Sequence, residues 1–495
     1  MQFTSLNFLI FFFIISTIYF VIPHRFQLFW LLICSYLFYL SDNPKYVVFI
    51  LLSTIITYLS GLLIENANKI NDEKKSVQIK KILVFASFSS NIGILFLFKY
   101  YNFFNASLTK VLNVFSISIN MPTFKYLLPL GISFYTLQAL SYIIDVYRKD
   151  VVPEKNLGKF ALFVSFFPQV VAGPIEKSKN MLHQFNEVHT FDYNRVKNGL
   201  LLMLWGVLVK IVISDRLAIL VNTVYKNPSN YKGFTILIAT VFFTFQIYLD
   251  FMSYSDIARG AAEVLGFKIT NNFKQPYLSR SIKEFWSRWH ISLTSWFKDY
   301  LYFPLGGNRK GKSRTYFNIM IVFLVSGLWH GSTFNFIIWG GLHGFYQIAA
   351  YFLKPFKVWA IETFKVKTKV FSFKLVQIII TFMLVNFAWI FFKANTFFSA
   401  ITIIKNSFYF NPWIFSNGTI FKLGLDLKDL LISIFGIILV IMVDLLHRKI
   451  SLRIQLSKQN IMFRWATYII AVLVVLIFGM YGPGYSMQQF IYSQF

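Results

Sequence analysis

Three of the seven histidines in this chain stand where an ionisable side chain is costly. His330 lies in Ser326-Gly327-Leu328-Trp329-His330-Gly331, inside an apolar hairpin. His343 follows in Trp339-Gly340-Gly341-Leu342-His343-Gly344, and His290 sits in the amphipathic string Arg288-Trp289-His290. An ionisable residue at membrane depth is by default a candidate functional residue. An imidazole titrates near neutral pH, which suits it to proton transfer. The plainer alternative is a histidine hydrogen-bonded within a helix bundle. A metal centre would need several converging ligands. His330 and His343 lie across a turn rather than at i,i+4 on one helix, so no metal is expected. His24, His183, His189 and His447 fall in loops and are expected to be solvated or interfacial. The chain has no nucleophile elbow, P-loop or dinucleotide fingerprint. What remains is a lone histidine base acting on a substrate hydroxyl.

The elements that position these residues belong to a membrane. Of 495 residues, 56% are hydrophobic and 20% aromatic, and the mean hydropathy is +0.57. Soluble globular domains are not this apolar. The fold class expected is an all-α polytopic membrane protein, a single integral-membrane domain over residues 1–495. The net charge of +28 comes from Lys and Arg gathered in short loops between apolar runs. That pattern marks cytoplasmic loops facing anionic lipid, so the implied partner is membrane lipid and not nucleic acid. The single cysteine, Cys34, allows no intrachain disulfide or cysteine-based metal cluster. No Lys or Arg precedes Arg25, so the first apolar run reads as a retained span rather than a cleavable signal.

Apolar runs fall at about 3–22, 26–41, 45–64, 82–100, 126–147, 198–222, 234–252, 316–330, 334–352, 375–393, 430–446 and 465–481; a span needs roughly 20 such residues. The stretch 157–175 is apolar but broken by Pro168, Gly173 and Pro174, and reads as a re-entrant element. Basic segments 65–81, 305–315, 354–374 and 447–464 are expected on the cytoplasmic side. With that orientation both termini and segments 101–125 and 394–429 lie outside. Segment 254–315 is long, cytoplasmic and amphipathic. Within it the spacing predicts one helix from Ser281 to Lys298, with Trp286, Trp289, Leu293 and Trp296 near one side. Glu284 and Arg288 are placed to pair at i,i+4. By composition alone this helix lies on lipid headgroups, its tryptophans at the interface.

A set of local strings points further. Leu249-Asp250-Phe251-Met252-Ser253-Tyr254-Ser255-Asp256 leads into Phe273-Lys274-Gln275-Pro276-Tyr277-Leu278-Ser279-Arg280. Then come Glu284-Phe285-Trp286-Ser287-Arg288-Trp289-His290, Trp296-Phe297-Lys298-Asp299-Tyr300, Pro304-Leu305-Gly306-Gly307-Asn308-Arg309 and Gly327-Leu328-Trp329-His330-Gly331. Together with Phe167-Pro168-Gln169 and Ala172-Gly173-Pro174-Ile175, these resemble the membrane-bound O-acyltransferase family, most densely over 130–345. The proline-glycine string resembles its bacterial polysaccharide O-acetylation branch, which includes the alginate and peptidoglycan systems. The resemblance implies a ring of about 11–12 transmembrane helices, with re-entrant and cytoplasmic amphipathic helices, around a central tunnel. It implies His330 as the catalytic histidine where a cytoplasmic funnel meets an outer opening, and His290 as the second motif histidine on the funnel side. His290 would position the donor or serve the structure. The acyl donor would be acetyl-CoA or an acyl carrier thioester, with no bound cofactor. The expected partners are an extracytoplasmic acetyltransferase of esterase-like type and a cytoplasmic acyl carrier. The expected location is a bacterial cytoplasmic (inner) membrane.

The tail 482–495 ends Phe490-Ile491-Tyr492-Ser493-Gln494-Phe495 and resembles an aromatic C-terminal motif of the same branch. Tyr492 would fold into the outer opening and relay the acyl group. Ser493 departs from the motif, which more often has an aromatic there. The competing reading is an interfacial anchor. For the chain as a whole, the alternatives to an enzyme are a lipid or glycan transporter or flippase, and a scaffold that recruits a soluble acyltransferase. Both expect His330 to be dispensable.

Overall fold

In lipid, every backbone polar group must find a partner within its own segment, which leaves helices for runs this apolar. The computed structural model describes residues 1–493 except 42, 118–121, 125, 127, 172, 449, 483–484, 486–487 and 489. Among the described residues there are helices and no strand. Seven helices among these residues are long and apolar enough to cross a membrane: Pro44–Ala67, Glu73–Val114, Tyr193–Lys226, Phe234–Leu265, Phe371–Lys393, Leu427–His447 and Ile461–Phe478. Phe334–Phe352 with Lys354–Thr363, bent by 49°, makes an eighth. The protein is an all-α, multi-pass membrane protein. The tally by length is smaller than the 11–12 expected because several runs form short helices. Leu6–Val21 and Ile132–Tyr147 have 16 residues and His24–Leu40 has 17. At 1.5 Å per residue these reach about 25 Å, short of the ~30 Å hydrocarbon core.

The chain forms two units, Met1–Met203 with Ile257–Thr270, and Leu204–Asp256 with Asn271–Gln494. In the first, Ile132–Tyr147 is the core helix, buried except at Ile144 and Tyr147. The expected re-entrant stretch is two short helices, Leu157–Ser165 and Phe167–Val170, broken at Phe166; Ala172 of its motif lies outside the described residues. The break frees the Phe163 carbonyl, which accepts from the side-chain amides of Gln138 and Gln169, each at 2.7 Å. Irregular backbone is thus satisfied by protein, as membrane depth demands. His189 departs from the solvated position expected. It is buried, with Nε2 against the Gln184 carbonyl at 2.9 Å and its ring 4.5 Å from that of Phe267. In the second unit, Ile461–Phe478 buries none of its side chains, as suits a helix bathed in lipid. Helices Lys312–His330 and Phe334–Phe352 form a tight hairpin.

Candidate active site

Glycines set the approach of that hairpin. A Cβ on Gly327 would lie 2.2 Å from the Phe336 carbonyl oxygen, and one on Gly340 would lie 2.2 Å from that of Phe323. The two backbones therefore touch, as small residues permit between membrane helices. His330 is the last residue of its helix, and Gly331 continues in extended conformation. The imidazole is 2% exposed. Its ring centroid lies 4.9 Å from those of both Trp329 and Trp339, 5.5 Å from Phe392 and 5.4 Å from Tyr492. Phe392 comes from helix Phe371–Lys393, tied to the hairpin where Asn335 Nδ2 donates to the Ala394 carbonyl at 2.7 Å.

The single helix expected over Ser281–Lys298 is two helices, Ile282–Arg288 and Ile291–Phe297, broken at Trp289-His290. Ser281 caps the first, accepting from the Glu284 N–H at 3.1 Å, and the Glu284–Arg288 pair forms at 2.7 Å. His290 adopts the left-handed conformation, φ +42° and ψ +55°, rare for a residue with a side chain. Its neighbours hold it there. Ile291 N–H donates to the Asn272 carbonyl at 3.0 Å, and Ser292 Oγ donates to Asn272 Oδ1 at 2.7 Å. Such over-determined backbone strain gathers at functional sites. The break also turns the tryptophans inward: Trp286, Trp289 and Trp296 are buried rather than laid on headgroups. His290 is fully buried, and burial pushes its imidazole down to about 3, so it is uncharged near neutral pH.

The third sequence candidate joins these two. Tyr492 is 8% exposed and sits in a short 3-10 helix, Ile491–Ser493. Its ring centroid is 5.4 Å from His330, 6.2 Å from His290 and 4.3 Å from Phe251. Among the described residues its hydroxyl has no hydrogen-bond partner; the Trp289 indole N–H is near, outside hydrogen-bond geometry. Burial drives the phenol well above its ordinary pKa. A buried, unsatisfied hydroxyl costs stability and calls for an explanation. The Ser493 side chain, Gln494 and Phe495 of the tail motif lie outside the described residues.

A buried polar network follows the tail inward. Asn222 Nδ2 donates to Gln488 Oε1 at 3.3 Å, and Lys393 Nζ donates to Asn222 Oδ1 at 2.8 Å. Lys210 pairs with Asp215 at 2.7 Å and Asp250 at 2.5 Å, and also reaches the Gln488 carbonyl at 3.4 Å. Asp250 Oδ2 accepts the Ile491 N–H at 2.7 Å. Lys210 lies in a π-helical segment, Val209–Ser214, within the long helix Tyr193–Lys226. Sequence reasoning quoted Asp250 without a role; its place in an apolar run was the available signal. His343 is a packed residue, its Nδ1 accepting from the Trp286 indole N–H at 3.2 Å. Among the described residues no three His, Cys, Asp or Glu side chains converge as a metal site.

Two histidines and a tyrosine thus meet inside a multi-pass helical membrane protein. Residues 148–401 match the membrane-bound O-acyltransferase family. The chain belongs to that family and is an O-acyltransferase. It is 36% identical over 421 residues to a probable alginate O-acetylase of Pseudomonas putida, covering 84% of this chain and 82% of that protein. To a peptidoglycan O-acetyltransferase of Helicobacter pylori it is 31% identical over 405 residues, 76% of this chain and 72% of that one. A teichoic acid D-alanyltransferase of Streptococcus thermophilus shares 32% identity over 228 residues, 43% of this chain and 55% of that one.

Proposed function

We propose that this enzyme moves an acetyl group from a cytoplasmic thioester, acetyl-CoA or an acyl carrier, to an extracytoplasmic or cell-wall polysaccharide in a bacterial cytoplasmic membrane. His330 is the general base and Tyr492 the acyl relay. The observation that carries this reading is the seat of Tyr492 between His330 and His290, at ring distances of 5.4 and 6.2 Å. The relatives named for alginate and peptidoglycan O-acetylation support acetyl as the group and a glycan as its destination.

In the first step Tyr492 Oη attacks the thioester carbonyl carbon while His330 takes the phenolic proton. The C–O bond forms, the C–S bond breaks, and the departing thiolate receives that proton. The raised phenol pKa makes a base necessary here. The C-terminal end of a helix, where His330 stands, favours the positive charge the base acquires. In the second step an acceptor hydroxyl, on the glycan or on an esterase-like partner outside, attacks the tyrosyl ester. Its proton passes through His330 to the Tyr492 phenolate. His290, uncharged in its buried setting, positions the thioester rather than countering charge. General-base help of this kind is worth about 10²–10⁴ in rate, and holding both reactants in a narrow site adds to it.

The test uses purified protein in nanodiscs with radiolabelled acetyl-CoA or an acetylated carrier and an acceptor glycan. Wild type transfers label and His330→Ala, expressed and folded, does not. Undiminished transfer by His330→Ala overturns the proposal. Flux of lipid or glycan without a donor, unaffected by His330→Ala, would favour the transporter reading.

A further inference from the structure

Among the described residues, four charged side chains lie buried in the second unit outside the chemistry just described: Lys210, Asp215, Asp250 and Arg216. Arg216 has a structural account, pairing with Asp429 at 2.8 Å and donating to the Phe478 carbonyl at 2.9 Å. The other three do not. A buried ion cluster is no more stable than well-packed apolar residues of the same volume, so stability alone does not explain it.

We infer that Lys210, Asp215 and Asp250 form a latch for the C-terminal tail, with Asp250 the positioning residue that sets the depth of Tyr492. The two oxygens of Asp250 serve two masters. Oδ1 accepts from Lys210 Nζ at 2.5 Å, and Oδ2 accepts from the Ile491 N–H at 2.7 Å. Ile491 is the residue before Tyr492, so fixing its backbone fixes the tyrosine to within one residue. Lys210 completes the hold: it is clamped by Asp215 at 2.7 Å and reaches the Gln488 carbonyl three residues before Ile491. A charge-assisted hydrogen bond to a carboxylate is stronger than a neutral one, and here it falls on main chain, where it sets position without depending on the tail's side chains. The π-helical segment that carries Lys210 fits this use, since such segments recur at functional sites. The tail side chains add packing: the Phe490 ring lies 4.6 Å from Tyr254 and 5.6 Å from Phe251. The consequence for the reaction rests on the proposal that Tyr492 relays the acyl group; the latch itself does not.

The experiment reads the seat of the tail apart from activity. In a Cys34→Ser background, purified protein carrying Ile491→Cys keeps the Ile491 N–H and places a thiol where the side chain is 3% exposed. Maleimide labelling of that thiol is expected to be slow with Asp250 intact and at least about tenfold faster with Asp250→Asn, the loss expected for a hydrogen bond to a charged group. Asn has one acceptor oxygen where Asp250 uses two, so its NH2 donor would face either Lys210 or the Ile491 N–H. Where Asp250→Asn does not fold, Ile491→Pro deletes the N–H from the tail side and leaves the ion cluster whole; it is read by labelling Tyr492→Cys with and without the proline. Unchanged labelling in the folded variant overturns the latch. Faster labelling with a matching fall in kcat, and donor KM held, supports the latch and the relay together. Faster labelling with acetyl transfer undiminished keeps the latch and discards the relay.

Discussion

His330 and His343 sit on the two arms of one helical hairpin, both buried and both ringed by aromatics, with Trp339 packed against each. Their surroundings differ in kind. His343 is enclosed by Phe285, Phe323 and Trp389, and the Trp286 indole N–H fills its Nδ1. His330 ends its helix and faces the phenol of Tyr492. Burial and an aromatic setting therefore do not tell the two histidines apart. A hydroxyl-bearing side chain brought close does, and here it arrives from the far end of the chain; on the proposed mechanism that is what separates a working histidine from a packed one.

The largest expected effect on this contrast is His330→Ala, which should lower acyl transfer by about 10²–10⁴ while expression and elution on size exclusion stay normal. Tyr492→Phe comes next. It keeps the ring against Phe251 and removes only the hydroxyl, so covalent acyl label at residue 492 should be lost and onward transfer should fall, by no more than in His330→Ala. His290→Asn retains a residue type that tolerates the left-handed backbone. Misplacing the donor should reduce kcat by up to about 10²-fold, measured as single-turnover transfer. The smallest effect on activity belongs to His343→Phe. Transfer per folded molecule should be unchanged, whereas leaving the Trp286 indole N–H without an acceptor should cost about 1–3 kcal/mol, visible as a lowered thermal midpoint. A His343→Phe enzyme that folds normally but is inactive would erase the contrast.

Much of this was legible in the sequence where the signal is local. Apolar length predicts the helices, and the two apolar runs carrying His330 and His343 read as a hairpin; that its backbones touch at Gly327 and Gly340 is seen only in the structure. The i,i+4 spacing of Glu284 and Arg288 predicts their pair, which forms at 2.7 Å. What was not legible depends on distant partners. Nothing in Arg288-Trp289-His290 announces a left-handed histidine; the break exists because Asn272 binds Ile291 and Ser292. The same break carries the tryptophans inward, so reading them as interfacial followed from assuming an unbroken helix. His189 is buried against Phe267, beyond the reach of a local window. Lys210 and Asp250 are 40 positions apart and Asp250 and Ile491 are 241 apart, separations at which only tertiary structure reveals a partner.

The most direct measurement of the central claim is mass spectrometry of the C-terminal peptide beyond Arg464 after brief exposure of the enzyme to an acetyl thioester. A single acetyl group on Tyr492 in wild type, absent from His330→Ala, is the predicted result. Efficient acetyl transfer with no acyl adduct on Tyr492, and full activity in Tyr492→Phe, would contradict it.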